Sequence, residues 1–321
     1  MTTTPGGSQL PEAFRAPASV GSFDGVWLTE VFERVARQGI WTSERLHDET
    51  SPWQRIAVYD TGFFGRVLTL DGLVMLTERD EFVYHEMLVH VPLCSLSEPR
   101  SVLIIGGGDC GTLREVLKHP DVARVVLCEI DERVTRVAAR WFPWVEPACA
   151  DPRVELVFAD GCDYIEGHRH EFDLVMVDST DPVGAAAGLF LRDFYRKVVR
   201  ALRPGGVLAA QTESPHWNPG MVSTIYAELR TEFEHVSPYV GFVPTYPSGM
   251  WSWAWASRDR AHDDHFDARR AEAVSATCRY YNPGIHSAAF ALPTFVKSIV
   301  KGGAPFEKFD PRHRQIVDAR D

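Results

Sequence analysis

Two acidic residues, Asp178 and Asp181, follow directly after a run of apolar residues and could do chemistry there. The run, Phe172–Val177, is typical of a buried strand. Open α/β sheets bind their ligands just beyond the carboxyl ends of such strands. Carboxylates beside an apolar surface are costly unless they hold a cation or move a proton. The pair therefore predicts a site for a cationic substrate.

Three other strand ends predict a nucleoside site. The first runs into a glycine-rich turn, Gly106–Gly111, where a nucleotide-like ligand can approach the backbone. The second ends at Glu129, about 20 residues past the first glycine, where a doubly wound fold places an acid on a ribose diol. The third ends at Asp160 and Gly161, where a carboxylate could accept a hydrogen bond from an adenine amino group while the glycine admits the ring. Together they predict an adenosine site.

The charge at this site indicates what else the ligand carries. Asp109 in the glycine turn would repel a pyrophosphate and attract an ammonium group. The ligand is then an adenosine with a positive tail, such as a sulfonium nucleoside. Glu213 follows another strand end and adds one more acid. If Asp109, Asp178, Asp181 and Glu213 converge, they would bind a polyamine.

A sheet is needed to bring these side chains together, and the hydrophobic pattern predicts one. The predicted strands are Ser101–Ile105, Val122–Cys128, Arg153–Phe158, Phe172–Val177, Gly206–Gln211, His235–Phe242 and Trp251–Ser257. The predicted helices are 79–93, Thr112–His119, Asp131–Trp141, Phe190–Leu202 and Met221–Phe233. Because strands and helices alternate, we expect a mostly parallel sheet with helices on both faces, and an antiparallel pair from the last two strands.

The chain before this pattern predicts a smaller unit. Short apolar runs between Ile56 and Leu76 flank an Asp71-Gly72 pair, which is a strong hairpin signal. We expect a disordered tail at 1–21, an antiparallel β domain at 22–78, a catalytic domain at 79–300 and a C-terminal tail at 301–321.

Composition excludes some classes of protein. A net charge of -11 is a poor match to nucleic acid. The six cysteines form no Cys-x-x-Cys pair and no histidine cluster has zinc spacing, so no metal site is predicted. The sequence shows neither a signal peptide nor a long apolar run, which predicts a cytoplasmic protein without membrane contact.

Many short motifs of the chain resemble those of one family. They are Leu70-Asp71-Gly72, the segment Thr77–Met87, Gly106–Asp109, Glu129–Asp131, Asp160-Gly161, Asp178–Gly184, Gln211–Pro215, Pro244–Gly249 and Arg279–Pro283. Over about 25–298 the sequence resembles the spermidine synthase (polyamine aminopropyltransferase) family. The resemblance implies a Rossmann-like, doubly wound sheet of the class I methyltransferase type with a small N-terminal antiparallel β domain.

The resemblance also implies a reaction. The aminopropyl group of decarboxylated S-adenosylmethionine, a co-substrate, passes to putrescine and gives spermidine and methylthioadenosine, with no tightly bound cofactor. By the same resemblance Asp178 is the general base and Tyr84 hydrogen-bonds the attacking nitrogen. Asp181 and Tyr246 would orient the acceptor amine, and Glu213 would hold its distal ammonium.

Further residues match the donor side of the family's site. Asp109, together with Asp178, would hold the donor's ammonium. The nucleoside would be held by Gln54, Glu129, Asp160 and Gly161, with His85 hydrogen-bonding nearby. The family resemblance also implies a homodimer or homotetramer.

The sequence departs from the family pattern at three places and leaves two alternatives open. Arg55, directly after Gln54, stands where the family commonly has Asp or His. Cys110 stands where the family usually has glycine, and we expect it to have an ordinary backbone conformation close to the donor. Ala185–Ala187 replaces a proline-bearing stretch of the family's gating loop. The alternatives are a methyltransferase that uses intact S-adenosylmethionine, whose carboxylate Asp109 would repel, and a non-catalytic polyamine- or nucleoside-binding protein. Cadaverine, agmatine or spermidine could replace putrescine as the acceptor.

Overall fold

The chain was analysed as a computed structural model, which describes residues 26–32, 36–181 and 184–303. The predictions for the tail at 1–21 and for nearly all of the tail at 301–321 lie outside the described residues. None of the helices in the described ranges combines the length and the apolar character needed to cross a membrane.

Six antiparallel strands form two small sheets at the start of the described chain. One sheet pairs β1 with β2, and the other has the order β3-β4-β5-β6. The strands are β1 (Val26–Phe32), β2 (Ala36–Thr42), β3 (Glu44–Thr50), β4 (Arg55–Thr61), β5 (Gly65–Leu70) and β6 (Leu73–Thr77). The predicted hairpin between β5 and β6 is present, and Asp71 and Gly72 have φ of 52° and 85°, as its turn requires.

The remaining described chain builds a seven-stranded sheet with helices on both faces. Its elements in chain order are α1 (Glu81–Cys94), β7 (Ser101–Gly106), α2 (Gly111–Leu117), β8 (Arg124–Glu129), α3 (Glu132–Trp141), α4 (Val145–Cys149), β9 (Val154–Phe158), α5 (Gly161–Tyr164), β10 (Phe172–Asp178), α6 (Arg192–Ala201), β11 (Leu202–Gln211), α7 (Pro219–Leu229), β12 (His235–Phe242), β13 (Met250–Ser257), α8 (Ala268–Ser275), α9 (Pro283–Ala289) and α10 (Thr294–Ile299), with short 3-10 helices at Ile165–Gly167 and Gly184–Phe190.

The strand order explains where a ligand would bind. The sheet runs β12-β13-β11-β10-β7-β8-β9, with β7 to β11 parallel and the β12–β13 pair antiparallel. The chain builds outward from β7 in one direction through β8 and β9, and then returns to the other side of β7 with β10. This reversal leaves a crevice at the carboxyl ends of β7 and β10, where Gly106 pairs with Asp178. The predicted doubly wound α/β sheet with a small N-terminal β domain is confirmed.

The sheet is rigid because it is buried on both faces. Along β7, Val102 and Ile104 point to the apolar layer that contains α1, whereas Leu103 and Ile105 point to the layer that contains α6 and α7. Trp253 and Trp255 on β13 are fully buried in the first layer, so both serve packing.

Two helices present side chains to the crevice. α1 is buried on nearly all sides, and the adjacent residues Tyr84 and His85 lie on it. The N-cap of α3 is Asp131, whose carboxylate accepts a hydrogen bond of 3.1 Å from the Arg133 backbone N–H. The predicted helix at Phe190–Leu202 is divided, because the chain up to Phe190 forms a 3-10 helix and α6 begins at Arg192.

Candidate active site

A cavity of about 360 Å³ opens at the carboxyl ends of β7, β8 and β10. Ten of the predicted site residues lie in its wall: Gln54, Tyr84, His85, Asp109, Glu129, Asp160, Gly161, Asp178, Asp181 and Tyr246. The remaining predicted residue, Glu213, lies behind Asp181 and is buried. Residues that are distant in sequence therefore line one cavity, as predicted from their positions after the carboxyl ends of the strands.

Asp178, the last residue of β10, is held at the floor of the cavity by two hydroxyl groups. The Tyr84 hydroxyl donates to one carboxylate oxygen at 2.8 Å, and the Thr112 hydroxyl donates to the other at 2.6 Å. Burial, followed by the charge of Asp109, raises the pKa of Asp178 above its ordinary value. The carboxylate is therefore fixed in place and more basic than an exposed aspartate.

Glycines let the surrounding chains approach this carboxylate. Gly107 has a φ of 70°, and a Cβ there would lie 2.7 Å from an Asp178 carboxylate oxygen. A Cβ at Gly111 would lie 2.2 Å from Cε1 of the His85 ring. The glycine turn is thus required for the close approach of Asp178 and His85 to the backbone.

Asp109 lies in this turn and has partners of its own. One carboxylate oxygen accepts a hydrogen bond of 2.7 Å from the Gly111 backbone N–H, and it lies 3.4 Å from Nε2 of His85. The indole N–H of Trp144 donates to the Asp109 carbonyl at 2.9 Å. Burial would raise the pKa of Asp109, but the charge of His85 and the hydrogen bond from the Gly111 N–H lower it. Asp109 is therefore an ionised carboxylate that faces the cavity.

The expectation of an ordinary backbone at Cys110 is wrong. Cys110 has a φ of 61°, in the left-handed region that glycine adopts without strain. Its thiol is fully buried and lies 3.7 Å from the sulfur of Cys149. The position thus keeps the left-handed conformation that suits glycine, although the residue here is a cysteine.

The predicted nucleoside residues line the opposite end of the cavity. Glu129 accepts hydrogen bonds from the backbone N–H groups of Gly108 at 3.1 Å and Asp131 at 2.9 Å. Burial raises the pKa of Glu129 to about 7 despite these bonds. The Gln54 amide donates to Asp131 at 3.1 Å, and Asp160 accepts from the Cys162 backbone N–H at 2.7 Å.

The end beyond Asp178 holds a second group of acids. Glu213 has a φ of 71° and accepts hydrogen bonds from the Ser214 N–H at 2.7 Å and the Asn218 amide at 2.9 Å. Burial, followed by the charge of Glu213, raises the pKa of Asp181 to about 8. Without a ligand, this pair therefore retains a proton near neutral pH.

Glu30, on β1 of the N-terminal sheet, joins these acids and was missed by sequence reasoning. It is 8% exposed, and one carboxylate oxygen has no hydrogen-bond partner. Burial raises the pKa of Glu30 to about 7, although a hydrogen bond from the Val74 backbone opposes the shift. Its charge acts on Asp181 and Glu213. No local pattern could have revealed it, because the interaction joins the N-terminal sheet to residues that lie far along the chain.

Two other features complete the wall. The Tyr246 ring lies 5.8 Å from the Tyr84 ring, and its hydroxyl donates to the Met75 carbonyl at 2.6 Å. Of the predicted gating loop, residues 182–183 lie outside the described residues, whereas Ala186 and Leu189 of the following 3-10 helix line the cavity. Thr112 was also missed, although its place in the first turn after the glycines was a usable signal.

A group with metal-ligand chemistry lies away from this cavity. The ligand atoms of His90, Glu115 and Cys278 lie within 4.8 Å of one another. Both ring nitrogens of His90 already have partners, and Glu115 forms ion pairs with Lys118 at 2.6 Å and Arg114 at 2.8 Å. The cluster is therefore an ion-pair network between α1 and α2, and its two cations would repel a metal ion.

Comparison with known proteins agrees with this geometry. The spermine/spermidine synthase domain model matches residues 81–267, and the spermidine synthase tetramerisation domain model matches 26–78. A polyamine aminopropyltransferase from a Thermoanaerobacter species is 45% identical over 274 residues, which cover 85% of this chain and 98% of that protein. The corresponding protein of Moorella thermoacetica is 41% identical over 284 residues, which cover 88% and 99%.

Solved structures show the same similarity. A spermidine synthase in complex with the transition-state analogue AdoDATO has a TM-score of 0.84, 38% identity and coverage of 88% of this chain and 98% of that one. Spermidine synthase from Thermotoga maritima has a TM-score of 0.82 with the same identity and coverage. The chain belongs to the spermine/spermidine synthase family. Within it, the chain is an enzyme of the polyamine aminopropyltransferase class.

Proposed function

We propose that the protein transfers the aminopropyl group of decarboxylated S-adenosylmethionine to putrescine, giving spermidine and methylthioadenosine. The observation that carries this proposal is Asp178, a partly buried carboxylate held by two hydroxyl groups between a nucleoside-like end and an acidic end of one cavity. The relative bound to AdoDATO, described as a transition-state analogue, supports a donor and an acceptor that meet in such a cavity.

The donor would occupy the end lined by Gln54, Glu129, Asp160 and Gly161. Glu129 would accept from the ribose hydroxyls, because its carboxylate faces the cavity beside the glycine turn. Asp109 would pair with the donor's ammonium. Decarboxylation of the donor matters here, since an α-carboxylate would be repelled by Asp109 and Asp178.

The acceptor would occupy the end beyond Asp178. Its distal ammonium would be held by Asp181 and Glu213, with Glu30 adding a third negative charge behind them. The Tyr246 ring would form the side of this channel, close to the Tyr84 ring. A flexible dication suits this end, because the acids there are buried and share a proton until a cation replaces it.

Asp178 would act as the general base. A free alkylamine has a pKa near 10, so the attacking nitrogen arrives protonated and needs a base to expose its lone pair. The raised pKa of Asp178 favours this transfer. As the nitrogen–carbon bond forms, the carbon–sulfur bond breaks and its electron pair stays on sulfur. The leaving group is a neutral thioether, so its departure needs no acid.

The test is a purified-enzyme assay with decarboxylated S-adenosylmethionine and a panel of amines, with products identified by mass. We expect spermidine and methylthioadenosine from putrescine, and a turnover reduced about 10²- to 10⁴-fold by Asp178→Asn. Asp173→Asn is the matched control. Asp173 begins the same strand at the opposite edge of the sheet and pairs with Arg203 at 2.9 Å.

Three results would contradict the proposal. Full turnover by Asp178→Asn would exclude the assigned base. Methyl transfer from intact S-adenosylmethionine would favour the methyltransferase alternative. Amine binding without any release of methylthioadenosine would favour a binding protein.

We also propose a homodimer or homotetramer in a reducing compartment such as the cytoplasm. Val26, Trp27 and Val31 on β1 are 72%, 57% and 57% exposed, and this strand lies in the region matched by the tetramerisation domain model. An apolar strand face of this kind is typical of contact between subunits. All six cysteines, each in a described range, are free thiols, which supports the compartment. The domain boundaries 22–78 and 79–300 stay a proposal.

A further inference from the structure

A row of four groups of alternating charge leads from α2 into the cavity. The Arg114 guanidinium pairs with both carboxylate oxygens of Glu81, at 3.0 and 2.8 Å. The same Glu81 carboxylate lies 2.6 Å from Nδ1 of His85. On the other side of the ring, Nε2 of His85 lies 3.4 Å from Asp109.

The protonation state of His85 follows from this arrangement. A neutral imidazole has a single N–H and one acceptor nitrogen, whereas an imidazolium has two N–H groups. Each ring nitrogen of His85 faces a carboxylate oxygen, and a carboxylate can only accept. Nδ1 of His85 lies at hydrogen-bond distance from Glu81 and Nε2 lies at ion-pair distance from Asp109, so a proton on both nitrogens is favoured and the ring carries a positive charge. Although burial opposes this charge, Asp109 and Glu81 raise the pKa of His85 to about 10.

The row is buried and leaves the ring little freedom. The side chains of His85 and Glu81 are 3% and 6% exposed, and Arg114 is 24% exposed at the outer end. Gly111 lies against the ring, where a Cβ would come within 2.2 Å. The Arg114 guanidinium also packs over the Trp144 ring, 5.0 Å from its centroid. Such a held ion pair is worth more than an exposed one, because solvent does not screen it.

The cation has a clear electrostatic consequence for the cavity. Asp109 and Asp178 are partly buried and repel each other, so one of them would tend to hold a proton. The positive ring lowers the pKa of both carboxyl groups. Both acids are needed as anions if one holds a donor ammonium and the other takes a proton.

We propose that Glu81 and Arg114 are positioning residues, which hold His85 as an imidazolium so that Asp109 and Asp178 are ionised together. This inference rests on the proposed aminopropyl transfer and adds two residues to it. The charged and titratable groups that face His85 are Glu81 and Tyr84 from its own helix, Asp109 from the glycine turn, Asp178 from β10 and, through Glu81, Arg114 from α2.

The test combines Glu81→Gln with two measurements. The first is the NMR titration of the His85 ring, assigned by its loss in His85→Gln. The second is kcat/KM for the donor as a function of pH. In Glu81→Gln we expect His85 to titrate below its wild-type value, because one anionic partner is gone. We expect the acid limb of the rate profile to move up by about one pH unit, so that activity falls by up to about tenfold at pH values below the limb and much less at pH 9.

Glu115→Gln is the matched control. Glu115 is buried and contacts Arg114 from the other side at 2.8 Å, but it makes no contact with His85. It should leave the position of the acid limb unchanged, whatever it does to stability. If Glu81→Gln does not fold, Arg114→Lys removes the paired hydrogen bonds to Glu81 and should shift the limb in the same direction by less.

Two results would overturn the inference. One is a wild-type His85 that titrates near the ordinary histidine value. The other is a Glu81→Gln protein whose activity falls equally at every pH, which would show a purely structural role. The two hypotheses can fail separately. A wild-type protein that does not transfer aminopropyl groups would refute the proposed function, whereas the NMR titration tests the charge of His85 without any need for activity.

Discussion

At the scale of single residues, the acids of the site differ because their surroundings differ. Asp109 is kept ionised by His85, whereas Asp181 and Glu30 are buried without a cation and have pKa values of about 8 and 7. The first acid can pair with a cation at once, and the other two must first lose protons. The site is therefore charged near the donor and partly protonated at the acceptor end.

This difference predicts that amine binding releases protons. A bound ammonium would lower the pKa of Asp181 and Glu30, and at pH 7 both are wholly or partly protonated in the free protein. Because their pKa values fall on binding, affinity for putrescine should rise from pH 6 to about pH 8 and then level off. Calorimetry at pH 7 in buffers of different ionisation enthalpy measures the released protons.

The control for this prediction is Asp181→Asn, which should remove most of the proton release and weaken amine binding. Proton uptake by the wild type, or affinity independent of pH between 6 and 8, would contradict it.

Sequence reasoning identified the residues that end strands and missed those that act from a distance. Asp178, Asp109 and Glu129 were found because strand ends meet at one edge of a parallel sheet. Glu30 was missed because its contact with Asp181 depends on how two sheets pack. The pairing of Glu81 with His85 could have been noticed, since residues one helical turn apart lie on the same face.

At the scale of elements, the turn between β7 and α2 has the most demanding backbone. Gly106, Gly107 and Cys110 all have positive φ, at 82°, 70° and 61°. A non-glycine residue in this region costs on the order of 1–2 kcal/mol. The cost is accepted at a position next to Asp109, so the turn is strained where it is needed for binding.

The backbone of Cys110 therefore predicts how two substitutions at this position differ in their effect on stability. Cys110→Gly relieves the strain but loses a buried side chain, so its stability should stay within about 1 kcal/mol of wild type. Cys110→Val places a β-branched residue in the left-handed region and should destabilise by more than about 2 kcal/mol. Chemical denaturation under reducing conditions measures both.

Cys149→Val tests whether this effect belongs to the backbone. Cys149 is the sulfur neighbour of Cys110, lies in the helix α4 and is half-buried. Cys149→Val should lower the free energy of unfolding by less than Cys110→Val does. Equal decreases at the two positions would exclude the backbone explanation.

The pattern of apolar residues located the elements of the large sheet well. β12 was predicted with its observed bounds, and the five parallel strands were placed within a few residues. The pattern failed where packing decides the structure. β1, β2 and β3 are half-exposed strands in which apolar and polar residues do not alternate regularly along the sequence, and α4 is a single short turn of helix that begins after Trp144.

At the scale of the whole molecule, β1 has two faces with different tasks. Trp27 and Val31 point outward and are exposed, whereas Leu28 and Glu30 point inward and are buried. The alternation of a strand makes this division possible.

The sheet order β12-β13-β11-β10-β7-β8-β9 could not be derived from sequence alone, because many orders satisfy the same alternation of strands and helices.

The outer face predicts a specific effect on assembly. Trp27→Glu places a charge on the proposed subunit contact and should shift the protein towards smaller species in sedimentation velocity or light scattering. Phe63→Glu is the matched control, since Phe63 is 63% exposed in the β4–β5 turn of the other small sheet. Equal masses for the wild type and Trp27→Glu would show that β1 is not part of the subunit contact.

The two faces of β1 have a consequence for the activity of the enzyme at low protein concentration. The residue that completes the acceptor end is carried by the strand whose back would be covered by a neighbouring subunit. Separating the subunits would loosen that strand and with it Glu30, while the glycine turn and Glu129 keep their own supports. Turnover per subunit would then decline on dilution, and added putrescine would restore it where added donor would not.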